Sequence, residues 1–372
     1  MYLKKLHLVN FKNYPSAEIE FSEGVNCFVG ENGTGKTNLM DAIHYLSLCK
    51  SCFNPVDSQN ILHKTPFFVI QGEFNNNEKI ENIYCGLKAN YRKQFKRNDK
   101  QYEKLADHIG LIPIVMITPS DMDLVAEGSE VRRKFLDTII AQYDKIYLEN
   151  LIEYNHALIQ RNSLLKQFAE RDNFEAAALE PWDEKIVSLS ERIFQTRKDF
   201  LNEFCSIFQK FYKDITGNKE HVFLEYQSQL NLGNIKSMIT ECHRRDRILQ
   251  RTTVGVHKDD LIFKISSYPL KRVGSQGQQK SYVVALKLAQ FDCIKERKGT
   301  KPILILDDIY DRLDDFRVGR LMNMIAQNSF GQVFITDTHP QRLRDVFEKI
   351  NVVNRVFEVK NGTIEKQEQV YS

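Results

Sequence analysis

The run Gly30-Glu31-Asn32-Gly33-Thr34-Gly35-Lys36-Thr37, followed by Asn38, has the spacing G-x-x-x-x-G-K-T. Glycines at these positions let backbone N–H groups turn inward around an anion that side chains would otherwise block. A lysine in the place of Lys36 reaches the β- and γ-phosphates of a nucleoside triphosphate, and a hydroxyl in the place of Thr37 ligates Mg²⁺. Far along the chain, the apolar run Ile303-Leu304-Ile305-Leu306 ends in Asp307-Asp308. Asp307 is the candidate to hold Mg²⁺, directly or through water, and Asp308 to polarise an attacking water as general base. These residues together point to binding and hydrolysis of a nucleoside triphosphate with Mg²⁺.

Each of these groups needs a fixed element beneath it. Val25–Val29 is a short apolar run of strand character, and Leu39, Ile43 and Leu46 recur at helical spacing after the loop, with Met40 beside them. Strand, loop, helix is the order that brings the positive end of a helix to the phosphates. Ile303–Leu306 reads as a strand of a parallel sheet buried on both faces. A third such run, 333–336, leads into Asp337-Thr338-His339.

A length of 372 residues suits two or three structural units, and 42% hydrophobic with 27% charged residues is the balance of a soluble globular protein. No apolar run approaches the ~20 residues that span a bilayer, and Met1-Tyr2-Leu3-Lys4-Lys5 lacks a signal-peptide core. A cytoplasmic location is expected. The cysteines are scattered, as reduced thiols of that compartment would be; Cys49 and Cys52 form a lone C-x-x-C with no second pair to complete a metal site. A net charge of +3 neither requires nor excludes DNA, so any basic surface is local.

Residues 3–30 read as two or three strands, with Leu6 and Leu8, then Ala17, Ile19 and Phe21, alternating across a turn. In that turn, Phe11-Lys12-Asn13-Tyr14 either contacts a base or ribose or is simply exposed. Further strands are expected at 67–70, 82–87 and 91–95, with Asn98-Asp99 as a hairpin turn. Arg92, Lys93, Lys96 and Arg97 there alternate with Tyr91, Phe95 and Tyr102, a pattern that fits a nucleic-acid backbone or a lysine-guarded edge strand. From about residue 120 the period becomes helical, with starts at Pro119-Ser120-Asp121 and Gly128-Ser129 and a second stretch after Pro181 about 50 Å long. A later helix, from about Ile235, gathers His243, Arg244, Arg245, Arg247 and Arg251, before sheet pattern returns at 261–265. Residues 1–120 are the expected first half of an ATPase head, 121–250 a mainly helical arm and 251–372 the second half of the head, closed by a hairpin.

Ser275-x-Gly277-Gln278 precedes a helical run with Val284, Leu288 and Phe291 on one side. It resembles the signature of ABC-type ATPases, whose serine hydroxyl and glycine N–H meet the γ-phosphate held by the partner subunit. By the same resemblance His339 falls at the γ-phosphate-sensing histidine and Gln71, before Gly72, at the metal-sensing glutamine. The long insertion between Lys36 and Asp307 departs from transporter ATP-binding subunits and resembles the DNA-repair and chromosome-maintenance branch. Within it, the whole chain is similar to the RecF family: Leu8-Val9-Asn10-Phe11-Lys12-Asn13-Tyr14, Ile117-Thr118-Pro119, Arg132-Arg133-Lys134-Phe135-Leu136-Asp137, Pro181-Trp182-Asp183, Gly255-Val256-His257-Lys258-Asp259-Asp260-Leu261 and Leu306-Asp307-Asp308 carry the likeness. No long coiled coil or apical cysteine hook marks a structural SMC-like head. Gly274 stands where the family often has leucine, and Asp311-Arg312 replaces Ser-Glu before Leu313-Asp314.

The resemblance implies an α/β fold, an ABC-type P-loop ATPase head with an inserted helical arm domain. It also implies an ATP-dependent homodimer with two nucleotides between subunits, and binding to single-stranded and duplex DNA near gap junctions. RecR, RecO and RecA are the implied partners in recombinational repair. Slow, DNA-stimulated ATP hydrolysis would reset the clamp.

Overall fold

The computed structural model describes residues 1–76, 79–171, 174–217, 220–309, 315–326, 330–339 and 354–370. Its contacts divide the chain into two units, one of Met1–Asp121, Phe211–Gly217 and Lys280–Ser372, the other of Met122–Lys210 and Asn218–Gln279.

The first unit begins with β1 (Tyr2–Phe11), β2 (Tyr14–Glu20), β3 (Val25–Val29), α1 (Lys36–Leu48), β4 (Phe67–Asn76), β5 (Lys79–Lys88), β6 (Gln94–Arg97), β7 (Lys100–Gln101) and β8 (Ile114–Ile117). One sheet is antiparallel throughout, in the order β2-β1-β4-β5-β6-β7. Its alternation turns Leu6, Leu8, Ile70 and Gly72 inward, and a Cβ on Gly72 would stand 2.6 Å from Leu46 Cδ1 of α1. Glycine lets the helix come that close. The strand expected at 91–95 instead begins at Gln94. The chain first turns at Asn90 (φ 66), with Tyr91 N–H donating to the Lys88 carbonyl. Asn98 and Asp99 both have positive φ, as a tight hairpin turn between β6 and β7 requires.

The second unit contains α2 (Asp123–Ala126), α3 (Ser129–Ala141), α4 (Lys145–Arg171), most of α5 (Glu180–Thr216), β9 (Val222–Gln227), α6 (Ile235–Leu249), β10 (Asp260–Ile265), β11 (Tyr268–Pro269), α7 (Leu270–Val273) and the start of α8 (Gln276–Lys298). Pro181 is tolerated in the first turn of α5, where no intrahelical N–H bond is lost. With 37 residues, α5 is about 56 Å long. It runs antiparallel to α4, Asp183 meeting Arg161 near one end and Arg197 meeting Tyr147 farther along.

The unit continues past residue 250, where an arm read from helical period alone would end. β9 and β10 pair from Asp260↔Gln227 to Ile265↔Val222, and Arg132 of α3 holds Asp260 through both carboxylate oxygens. Residues up to Gln279 therefore pack with the helices, and the boundary lies nearer 280.

The first unit resumes with β12 (Ile303–Leu306), α9 (Asp315–Ala326), β13 (Val333–Asp337), β14 (Asn354–Lys360) and β15 (Thr363–Val370). These join β3 and β8 in the order β15-β14-β3-β13-β12-β8, parallel except for the terminal hairpin. Phe21 and Phe28 meet Phe334 and Phe357 on the face shared with α1. No described helix is long and apolar enough to cross a membrane.

Two buried arginines hold the helices of the second unit. Arg197 gives hydrogen bonds to Asp137 (2.8 Å), Asp259 (2.9 Å) and the Val256 carbonyl (3.0 Å). Arg161, wholly buried, reaches Asp183 (2.5 Å) and Asp246 (2.6 Å). Removing one partner of such a pair strands charge in a dry interior. Arg197→Met should therefore destabilise this unit by about 3–5 kcal/mol. The urea midpoint measures this, and a shift no larger than that of the exposed Arg192→Met would contradict it.

Candidate nucleotide site

The parallel sheet sets the site through its register. Val29 pairs with Asp337, and Leu306 with both Ile335 and Ile117, so β3, β13 and β12 end side by side. The glycine loop leaves the end of β3, Asp307-Asp308 that of β12 and Thr338-His339 that of β13. Ligands of open parallel sheets bind outside such carboxyl ends.

The loop is shaped around its glycines. Gly30 (φ 154) passes so near β14 that a Cβ would lie 2.3 Å from the Val359 carbonyl oxygen, and Gly35 (φ 117) leaves 2.6 Å to Asn13 Nδ2. Gly35 is also the N-cap of α1, and no side chain caps the helix, so its positive end faces the loop without a side-chain acceptor. Glu31, Asn32 and Gly33 are exposed at the tip, while Thr34 Oγ1 donates to the Glu31 carbonyl at 2.9 Å. Lys36 is buried with its ammonium on the carbonyls of Gly30 (2.7 Å) and Glu31 (2.9 Å). That crown of carbonyls points Nζ back across the loop, where phosphate oxygens would sit.

Phe11-Lys12-Asn13-Tyr14 turns out to be a brace. Asn13 donates to the Thr34 carbonyl (3.0 Å) and accepts from Asn38 (2.7 Å), and Tyr14 donates to the Gly35 carbonyl (3.1 Å). Lys12 is paired with buried Asp41 at 2.6 Å. Beside Thr37 and Asn38 a cavity of about 560 Å³ opens, with Phe53, Ile61 and Leu62 as apolar walls and Asn54, Gln59 and His63 as polar ones.

Opposite the loop, Asp307 Oδ1 accepts from Thr37 Oγ1 (3.1 Å) and Thr336 Oγ1 (2.8 Å). Burial, reinforced by the charge of Asp308, pushes its pKa up to about 6 despite those two hydrogen bonds. Two hard oxygens, one on a buried carboxylate, lie together beside a phosphate loop, which fits Mg²⁺. Asp308 is half-buried with φ 48, and its N–H donates to Thr336 Oγ1 at 2.9 Å. A side chain held at positive φ beside a ligand site marks local strain. Thr336 thus fixes both acids. In sequence it is only the end of an apolar run, although it closes 333–336 much as Asp307 closes the neighbouring strand.

His339 lies at the same edge, 65% exposed, its N–H held by buried Asp337 at 2.9 Å. Gln71 does not join the site. It faces outward between His7 and Tyr84, on the sheet face away from α1, because Ile70 and Gly72 take the inward positions. Beside Asp307 on the adjacent strand end stands Thr118, which follows Ile117. Asp311, Arg312, Leu313 and Asp314 lie outside the described residues.

Ser275, Gly277 and Gln278 belong to the second unit. Ser275 is exposed before α8, with reciprocal bonds to Gln278: Ser275 N–H to Oε1 (2.6 Å) and Gln278 N–H to Oγ (3.2 Å). This capping box presents the serine at a helix N-terminus. A Cβ on Gly274 would stand 2.8 Å from the Leu270 carbonyl oxygen, so a leucine there requires the backbone to shift.

The basic hairpin loses two of its candidates. Lys93 is drawn inward onto Asp57 (2.7 Å) and the Cys49 carbonyl (2.6 Å), and Arg97 is bidentate on Glu81 (2.8 and 2.6 Å). Both charges are neutralised within the fold. Arg92 is exposed, Lys96 lies over the Tyr84 ring, and Arg244 and Arg245 are exposed on α6.

Similarity to known proteins runs over nearly the whole chain. The family model of the RecF/RecN/SMC N-terminal domain matches residues 2–365. The DNA replication and repair protein RecF of Phocaeicola vulgatus is 49% identical over all of both chains, and that of Flavobacterium johnsoniae 47% over 96% of this chain and 99% of its own. A solved structure of the recombination mediator RecF with ATP, in the RecFOR pathway, superposes with TM-score 0.88 at 29% identity, covering 99% of this chain and 97% of that one. An SMC head bound to a winged-helix domain of ScpA shares the fold at TM-score 0.59 and 18% identity, covering 100% of this chain and 98% of that one. Full-length identity of this order, on a chain whose parallel strands end in one nucleotide edge, makes it a member of the RecF family of DNA replication and repair proteins.

Proposed function

We propose that the chain is an ATP-dependent DNA-binding ATPase of recombinational repair, closing as a homodimer around two nucleotides and DNA near gap junctions. The observation that carries the reading is the hydrogen-bonded set Thr37–Asp307–Thr336–Asp308 opposite an uncapped glycine loop. The relative solved with ATP supports the ligand. Its place in the RecFOR pathway supports cooperation with RecR and RecO in loading RecA.

In this reading the loop N–H groups and the positive end of α1 surround the β-phosphate, and Lys36 turns from its carbonyls to the β- and γ-oxygens. The nucleoside enters the cavity beside Asn38. Thr37 and Asp307 would hold Mg²⁺, which would neutralise charge on the phosphates. Asp308 accepts a proton from the attacking water. Ser275 and Gly277 donate to the γ-phosphate of the opposing subunit, so that closure depends on the nucleotide and is released by slow, DNA-stimulated hydrolysis.

Lys36→Met should weaken ATP binding by on the order of 100-fold and abolish the ATP-dependent dimer, because the phosphates lose their buried cation. Sedimentation with ATP decides; a dimer as abundant as wild type would sink the sandwich. Asp308→Asn should keep ATP bound through Asp307 and Lys36 while hydrolysis falls by a factor on the order of 10² or more. Wild-type phosphate release in that variant would remove Asp308 as base.

Ser275→Arg should leave monomer affinity for ATP nearly unchanged and block closure. Mixed with Lys36→Met, it tests the composite site: a trans arrangement leaves one site in the heterodimer with both residues intact. Partial recovery of ATPase from two inactive variants is expected. Its absence, with heterodimers demonstrated by crosslinking, would count against trans geometry.

A further inference from the structure

Within the second unit, cations gather at the end of α6 and in the turn that follows it. α6 ends at Gln250 with φ 52, which turns Arg251 out of the helix axis. Lys258 closes a 3₁₀ turn at Val256–Lys258, within electrostatic range of Arg251, Arg133 and Arg245. Partial burial and then these charges lower the Lys258 pKa from its ordinary value, only partly offset by Asp246.

The neighbouring carboxylates are committed elsewhere. Asp246 takes Arg161 at 2.6 Å and the N–H and hydroxyl of Thr253 at 3.0 and 2.6 Å. Asp259 takes Arg197 at 2.9 Å and the Tyr226 hydroxyl, and Asp260 takes Arg132. Arg245, Arg251 and Lys258 are exposed, and their side chains have no ion-pair or hydrogen-bond partner among the described residues. Arg133 is half-buried and fixed by Ser129 and the Asp259 carbonyl, each at 2.7 Å. Its guanidinium therefore adds charge at a set position.

We propose that Arg245, Arg251, Lys258 and Arg133 form a binding surface for the phosphate backbone of DNA, spanning more than one phosphate. The inference rests on the reading that the chain binds DNA, and gives that reading a location. A single small anion is the poorer occupant, since the cations come from a helix end, a connection, a turn and α3, and three of the four are exposed. A polyanion neutralises such a spread surface and releases its counterions in doing so. Phosphate contacts of this kind carry no base readout.

The test uses the full chain with ATP and labelled duplex DNA, titrated over a series of salt concentrations. The triple variant Arg245→Gln/Arg251→Gln/Lys258→Gln should flatten the plot of log affinity against log salt by roughly 2–3, about 0.9 for each phosphate no longer neutralised. At fixed salt it should bind at least about ten-fold more weakly, equally for unrelated sequences. The three side chains have no partner to lose among the described residues, so its melting temperature should match the wild type. The comparison variant Lys166→Gln/Arg192→Gln/Lys198→Gln removes the same charge from exposed positions on α4 and α5 and should change binding little.

Equal weakening in both triple variants would reduce the effect to net charge and overturn the inference. So would unchanged affinity of the Arg245/Arg251/Lys258 variant beside a wild type that binds DNA. A wild type that binds no DNA would instead remove the functional reading beneath it. Inorganic phosphate at constant ionic strength forms a further arm. If phosphate binds the wild type but not the triple variant, while both bind DNA alike, these residues make a small-anion site and the DNA assignment falls.

Discussion

Asp307 is an acid in a place that disfavours its charge. It is 2% exposed, follows four buried aliphatic residues and is flanked by a second carboxylate. Desolvation of an unpaired carboxylate is among the larger penalties in a fold, and raising the pKa only partly relieves it. The structure holds the group through two hydroxyls, Thr37 in the first turn of α1 and Thr336 on β13. Those hydroxyls reach it only because β3, β13 and β12 are parallel and in register to their last residues. A slip of one residue would turn Asp307 and Thr336 to opposite faces. The demand for compensating charge therefore runs from the acid to the register, and from there to every strand of the sheet.

The same logic explains why a second, antiparallel sheet is needed. The glycine loop must keep its N–H groups turned to the ligand, so its carbonyls need donors on the opposite side. Asn13 and the Gly362 N–H both donate to the Thr34 carbonyl, and Tyr14 to that of Gly35. These come from the β1–β2 turn and the terminal hairpin. Elements remote in sequence are thus drawn together by the hydrogen-bond requirements of one loop.

Much of this was legible in sequence because the chemistry depends on residue type at short range. The loop, the acid pair and the apolar runs before each are local patterns, and they appear as elements with nearly the expected limits. Thr336 was not legible, since a threonine ending a strand is common and its importance comes only from the neighbour that register supplies. Gln71 misled for the converse reason: a glutamine beside glycine carries no sign of which face it takes. Lys93 and Arg97 looked like free cations because Asp57 and Glu81 are far from them along the chain. The boundary near 280 was hidden because β9 and β10 pair across α6, a pairing that periodicity does not encode.

The charge of the second unit follows from how its acids are used. Asp137, Asp183, Asp246 and Asp259 are all turned to buried arginines, where pairing is the condition for burying either partner. Arginine is the cation that such positions favour, because its planar fork satisfies several acceptors at once. The consequence lies outside the core. Carboxylates turned into the helix packing do little for the surface, so the exposed cations at the end of α6 and in the turn after it are only partly offset by protein charge. A chain with a net charge of only +3 can in this way present a strongly positive local field. Net charge is then a poor guide to polyanion binding, and the distribution of acids between core and surface is the quantity that decides it.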